Sequence, residues 1–430
     1  MSSSFRSVWT IIIVTLVMGG GVLVGSMNRP QSDDIQQESL WQAYGEGTKT
    51  VKIGVMSTTD NSFPQDRFLA DIARAEINAY CDEADLEYRF DFIYTNANGQ
   101  AGNVKNITIR YHDQGVRIII GFGWSSFFCS SAYTFGMENN MTLISPSSTS
   151  PIYNIEDHVF RLCTNDLNQI LPIAAMIKSL HVSGIVILQR DDAWGDGIVW
   201  ALKELIEDEG SPIIETIKYA CEDTTFHKYL DEAEEALQRL TVEKGISKPG
   251  VFAVSFNEVE TLLQEATTHP ELLSVPWFGS EEIASSARIL DEAGDEAVKV
   301  MLTSPQVDHV PEGDESRVYK RLNASYFDET GYHLGFYTAN VYDACWIAAL
   351  SVIEAGTDNG ADVQRVLPYV AAGYTGATGR CLLDENGDRD RMDYSLSGYF
   401  EVDGEYRYLR CGKYHHGGSV EWNWELLGPG

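Results

Sequence analysis

At 430 residues the chain is long enough for two domains with cores of their own, and its apolar share of 44% is ordinary for a globular protein. The formal net charge is −32 and no Lys/Arg-rich cluster stands out, which excludes nucleic acid as a partner, because phosphate neutralisation needs concentrated cations. Seven scattered cysteines without a CxxC spacing exclude a zinc ribbon or a dithiol redox motif.

Residues 8–24, VWTIIIVTLVMGGGVLV, are uncharged and mostly apolar, at the lower length limit for a membrane-spanning helix. Arg6 and Arg29 flank the run on both sides and leave its orientation open. Residues 1–27 therefore read as a transmembrane anchor or as a signal segment. In both cases the rest is expected outside the cytoplasm, held at the membrane by a retained anchor or secreted after cleavage. Residues 28–48 form a polar linker. Sequons at Asn106, Asn140 and Asn323 fit an exported chain.

From Lys49 apolar runs alternate with amphipathic stretches. Strands are expected over 51–56 and 88–94 and helices over 67–83 and 104–112, with Phe68, Ile72, Ile77 and Tyr80 at helical spacing. Residues 116–153 carry two further apolar runs, 116–120 and 141–144. Each ends in small hydroxyl residues, Ser125-Ser126 and Ser145 to Ser150. In an open parallel sheet ligands bind beyond the carboxyl ends of the strands, and a helix N-terminus there favours a carboxylate or phosphate.

After Cys163 the rhythm restarts, with helices over 166–180, 197–209, 225–243, 259–267 and 282–293. They alternate with strands over 185–188, 213–219, 251–255, 275–278 and 298–303. This alternation predicts a doubly wound α/β fold, twice over. Helices over 317–327, 337–355 and 361–372 follow, and hairpin-like strands over 397–408. The return of helices suggests that the chain crosses back to the first domain.

Several signals fail on inspection. The run Asp384-Glu-Asn386-Gly-Asp388-Arg-Asp390 has Arg389 and Ser395 where a calcium loop needs Gly and Glu, and reads instead as a hydrated hairpin turn. His415-His416 reads as a surface turn. Gly121 and Gly123 lack the third glycine of a dinucleotide fingerprint, and neither a Walker A nor a GxSxG pattern occurs. No cofactor, metal or enzymatic activity is expected. Cys163 and Cys345 lie in apolar runs as core residues, and Cys381 and Cys411 flank one hairpin region, close enough in sequence to leave a disulfide open.

The ordered segments IGFGWSS, LISPSSTSP, VILQRDDAWGDG, VFAVSFNE and VPWFGSEE resemble the type I periplasmic solute-binding fold, and within it the branched-chain amino-acid (leucine/isoleucine/valine) binding family of ABC transporters. The resemblance covers residues 50 to about 400. It implies two α/β lobes joined by three hinge crossings, near 163–164, 304–306 and 383–387. Lobe I would comprise 49–163 and 306–385, and lobe II 164–305 and 386–430. It further implies that Ser125 holds a ligand carboxylate and that Ser147 and Thr149 contact carboxylate and ammonium. Trp194 and Phe256 would close over the ligand as aromatic walls, and Glu281 would receive the α-ammonium. The family often has tyrosine at the positions of Trp194 and Phe256, and the loop STTDNSFPQD replaces its short first-strand loop, so side-chain preference is not carried over. The function implied is capture of an amino acid or related amide and delivery to an ABC permease. The alternative is a membrane-tethered sensory domain that signals through a separate partner.

Overall fold

The computed structural model describes residues 48–127, 131–155, 157, 159–207, 213–284, 286–308, 317–390, 392–415 and 418–427. The expected N-terminal membrane segment lies outside the described residues, as does the linker up to residue 47.

Lobe I starts with β1 (Lys49–Ser57), α1 (Ser62–Glu83), β2 (Tyr88–Asn96), α2 (Ala101–Asp113), β3 (Ile118–Ile120), α3 (Ser131–Glu138), β4 (Thr142–Ser145) and β5 (Val159–Arg161). Its five strands are all parallel, in the order β2-β1-β3-β4-β5. Successive residues of a strand point to opposite faces. Val51, Ile53 and Val55 accordingly enter one core with Leu69, Ala73 and Ile77 of α1, while Met56 enters a second core with Val104 and Ile107 of α2. A parallel sheet covered on both faces needs such continuous apolar runs.

Lobe II follows with α4 (Asp166–Ser179), β6 (Gly184–Arg190), α5 (Ala193–Glu207), β7 (Ile213–Tyr219), α6 (His227–Gln238), β8 (Pro249–Val254), α7 (Glu258–Glu265), β9 (Trp277–Gly279), α8 (Ala287–Lys299) and β10 (Thr303–Val307). The chain then returns to lobe I with α9 (Arg317–Thr330), α10 (Phe336–Ala355), α11 (Gly360–Gly373) and a short hairpin, β11 (Thr375–Gly376) and β12 (Gly379–Arg380). The helix α10 is long and apolar enough to cross a membrane, yet it is a core element: Ala344, Cys345, Ile347, Ala348 and Val352 are buried in the cluster that also contains α1. The chain ends in lobe II with β13 (Tyr394–Val402), β14 (Glu405–His415), β15 (Ser419–Trp422) and α12 (Trp424–Leu427). These three strands add antiparallel to β10, giving the sheet order β15-β14-β13-β10-β9-β8-β6-β7.

The strand expected over 298–303 is instead the end of α8 and its exit. Ala297 and Val300 are buried by the helix, Met301 turns the chain with a φ of 50°, and pairing begins at Thr303. Pro305 is tolerated in β10 because β9 pairs it at Thr303 alone, so the missing N–H has no ladder partner on that side. Pairing with β13 carries β10 to Val307, beyond the 304–306 region where the second crossing was expected. The three-residue β5 and the late β15 gave no readable sequence pattern.

One expectation at the hinge is corrected, and the disulfide left open by the sequence is decided. The 384–390 segment is a turn, but not a hydrated one. Asp388 and Arg389 are only 1% and 2% exposed, and Arg161 at the end of β5 pairs through two nitrogens with the Asp388 carboxylate. Cys381 and Cys411 do not pair: Cys381 belongs to the lobe I core and Cys411 to the lobe II core. All six described cysteines are free, and five of them are buried. The melting temperature should therefore stay within about 1 °C when a strong reductant is added, measured by differential scanning fluorimetry. A drop of several degrees, the size expected for loss of a stabilising disulfide, would contradict this arrangement.

Candidate functional site

The strand ends of lobe I build a compact hydroxyl cluster. Beyond β3 the chain passes through Phe122, a buried non-glycine residue held at a φ of 58°, then Gly123, and enters a short helical turn, Ser125–Phe127. A strained residue of this kind persists only where its surroundings fix it. Ser145 Oγ donates to the Phe122 carbonyl at 3.1 Å and accepts from Ser148 N at 3.0 Å. Ser147 Oγ donates to the Gly123 carbonyl at 3.0 Å, and a side chain at Gly123 would collide with Thr58 Oγ1. Ser125 Oγ accepts from Ser150 N and from Ser148 Oγ, both at 3.1 Å. This leaves the Ser125 hydroxyl proton free to turn toward an acceptor. The Thr149 N–H takes no part in this network. Ser125 and Thr149 are buried and Ser147 half-buried, so the three expected residues converge where the loops after β3 and β4 meet.

Lobe II presents an aromatic wall opposite. The Trp194 and Phe256 rings lie 4.5 Å apart between centroids, tilted by 31°. The Arg190 guanidinium lies over the Phe256 ring, 4.2 Å from its centroid, and is fixed by Asp192 and Glu258. The lobes meet beside this wall. Ser150 Oγ donates to the Ala193 carbonyl at 3.5 Å, and a Cβ at Gly197 would lie 2.9 Å from both Pro151 and Ser150, so only glycine allows that approach.

Glu281 follows β9 in a single helical turn, Glu281–Ile283, and is 7% exposed. Its Oε1 accepts from Val307 N at 3.3 Å, its own N–H donates to Gln169 Oε1 at 3.0 Å, and the Tyr337 phenol of lobe I approaches the carboxylate as a donor. Burial, with Glu282 and Asp166 as like charges, pushes the Glu281 carboxyl up to about 8.

Asp166, at the start of α4, was missed by sequence reasoning because a first-turn acid ordinarily serves the helix dipole. It is 1% exposed, its N–H donates to the Thr149 carbonyl at 2.7 Å, and its Oδ1 accepts from Gln169 at 2.9 Å. Its Oδ2 has no hydrogen-bond partner, and burial pushes the group up to about 7. Glu282 keeps accessible surface although protein surrounds it, so Glu281 and Asp166 define the acidic floor. Among the described residues no cation pairs with either. Arg161, which lowers Asp166 electrostatically, is committed to Asp388.

Two surface recesses, of about 470 and 250 Å³, lie elsewhere on lobe II, beside Val182, Lys248 and Pro249 and beside Met301, Tyr399 and Leu426. Neither is lined by a residue of the hydroxyl cluster, the aromatic pair or the buried acids. No group of three or more possible metal ligands occurs among the described residues.

Two α/β lobes, one on a parallel sheet with a hydroxyl loop and one on a mixed sheet with an acid and aromatics, define a two-lobe ligand-binding protein of the type I periplasmic fold. The chain belongs to the receptor family ligand binding region family, whose model matches residues 70–399. It is 27% identical over 401 residues to an uncharacterized protein of Methanocaldococcus jannaschii, covering 89% of this chain and 93% of that one. Among solved structures it is similar to a leucine binding protein of Thermotoga maritima, with a TM-score of 0.68, 16% identity, and coverage of 87% of this chain and 100% of the other. A branched-chain amino-acid transporter substrate-binding protein of Streptococcus pneumoniae, in complex with isoleucine, gives a TM-score of 0.63 and 16% identity over 84% of this chain and 100% of that chain. An ABC-transporter solute binding protein of Rhodopseudomonas palustris, in complex with 3,4-dihydroxybenzoic acid, gives 0.65 and 16% over 88% and 99%. The family is one of ligand binding, not catalysis.

The buried acids set a sign for the pH dependence of folding. Raised carboxyls bind protons more tightly folded than unfolded, so their stabilisation is complete below the unfolded value and is lost as pH rises through the folded one. Ligand-free protein should lose stability between pH 5 and 8, by up to about 1.4 kcal/mol per unit for each such group. Glu281→Gln should flatten that slope in urea titrations at several pH values. A slope unchanged by the substitution would show that Glu281 is solvated in the absence of ligand.

Proposed function

We propose that the protein is an extracytoplasmic solute-binding protein that takes an amino acid or related amide into the interlobe cleft and hands it to an ABC permease. The observation that carries this reading is the Glu281–Asp166 pair, two buried acids with which no cation pairs among the described residues. Such a pair is costly on its own and is relieved by an ammonium group. The hydroxyl loop supplies the opposite pole: the Ser125 hydroxyl proton and the Thr149 N–H suit an α-carboxylate, and Ser147, which donates to the Gly123 carbonyl, would have to turn to join them. A zwitterion has both poles at the separation of one carbon. Trp194 and Phe256 then offer an apolar surface to the ligand side chain, and closure of the lobes removes the ligand from water. The retained N-terminal segment would tether the protein beside its transporter. The same cleft on a tethered chain would also serve a sensory partner, and loss of uptake on deletion separates transport from signalling.

A thermal-shift screen of the 49–430 fragment with the amino acids, their amides and benzoate identifies the ligand class. A ligand at 100 times its dissociation constant stabilises by about 2.7 kcal/mol. Glu281→Gln should weaken an amino-acid ligand roughly 30- to 3000-fold by calorimetry, the loss expected when one partner of a buried charge pair is neutralised. Binding of benzoate with no dependence on Glu281, and of no amino acid, would assign the cleft to aromatic acids instead.

A further inference from the structure

The hydroxyl loop does not hold its own shape. Its backbone carbonyls are bound from behind, one after another, by two side chains and one backbone amide. Arg161 Nη1 donates to the Ser150 carbonyl at 2.7 Å and to the Ser148 carbonyl at 3.3 Å. Asn340 of α10 donates to the Pro146 carbonyl at 3.0 Å, and Asp166 N takes the Thr149 carbonyl. With these carbonyls drawn inward, the amides of Ser147, Ser148 and Ser150 turn to the serine hydroxyls.

The same two donors are anchored in the third crossing. Arg161 uses Nε and Nη2 on the Asp388 carboxylate, and its backbone bridges that segment: Arg161 N donates to the Gly387 carbonyl, and Arg389 N donates to the Arg161 carbonyl. Arg389 Nη1 reaches Asn340 Oδ1 at 3.4 Å and Thr378 Oγ1 at 2.7 Å, so Asn340 is fixed from the same place. Arg161 is 1% exposed and touches no surface on which a ligand could sit.

We infer that Arg161 is a positioning residue that sets the geometry of the Ser147–Ser150 ligand loop and locks it to the third hinge crossing through Asp388. A planar guanidinium has donors enough to serve a carboxylate on one edge and two carbonyls on another. The loop and the crossing then move as one unit, so a hinge rotation is felt directly at the strand end. The name given to the loop rests on the proposed function, but the coupling of loop to crossing does not.

Amide hydrogen exchange on the full chain without ligand tests this, with Arg161→Lys and Asp388→Asn. Lysine keeps a charge for Asp388 but cannot also span both carbonyls. Asparagine keeps the size and removes the anchor of the guanidinium. In each variant exchange should quicken about tenfold or more at the Ser145–Ser150 loop and at residues 387–389 together, while the β1–β2 ladder keeps its protection. Should Arg161→Lys fail to fold, Asp388→Asn alone decides. Loop exchange equal to that of the parent, or a rise shared equally by every segment of lobe I, would overturn the assignment. Calorimetry of the parent with L-leucine as probe tests the functional reading separately, since the exchange pattern is expected whether or not leucine binds.

Discussion

A carboxylate held out of water with no cation at hand is the constraint from which the cleft is understood. Glu281 and Asp166 stand at the start of helical turns on lobe II, both buried and both raised first by burial, with the neighbouring charge of Glu282 adding to each. Alone they disfavour the closed arrangement in their ionised form, and neutral groups of the same size would not. A site that keeps such acids in an otherwise apolar wall is matched to something positive. The lobe I loop is the mirror case, where most hydroxyls and amides satisfy one another and the Ser125 hydroxyl proton and the Thr149 N–H are left over. The two halves complement each other only through a ligand with opposite poles.

That arrangement depends on the fold in a simple way. Parallel strands all end on the same edge, so both sheets deliver their loops to the cleft. The contacts of Phe256 show how the edge is stiffened: it packs against Trp194 and under the Arg190 guanidinium, itself tied to Glu258 and Asp192. Behind the loop, Arg161 and Asn340 do the equivalent work from the hinge. A rigid first layer of contacts is what turns a hinge motion into selection among ligands.

The chain's alternating order was legible because period-2 apolar strands and amphipathic helices each leave a local pattern. The serine clusters were legible because they follow apolar runs directly. What was not legible is non-local. Asp388 and Arg389 sit in a sequence that reads as a solvated turn, and their contacts with Arg161, far away in sequence, and with Thr378 accompany their burial. Asp166 looks like an ordinary helix-start acid until Thr149 and Gln169 are seen to enclose it. The misplaced strand at 298–303 has a different cause. The stretch VKVML is apolar enough for either state, and burial of Ala297 and Val300 from a helix settles it, while the true strand is the polar TSPQV.

The central claim, that an ammonium of the ligand neutralises a buried acid, is tested most directly by counting protons. Calorimetric titration of the best amino-acid ligand at pH 7, in two buffers of different ionisation enthalpy, gives the number exchanged on binding. With the Glu281 carboxyl near 8 in the empty cleft, an arriving ammonium forces it to ionise, and about one proton per ligand should leave. Heat that is the same in both buffers, or proton uptake, would contradict the pairing of the ligand with Glu281.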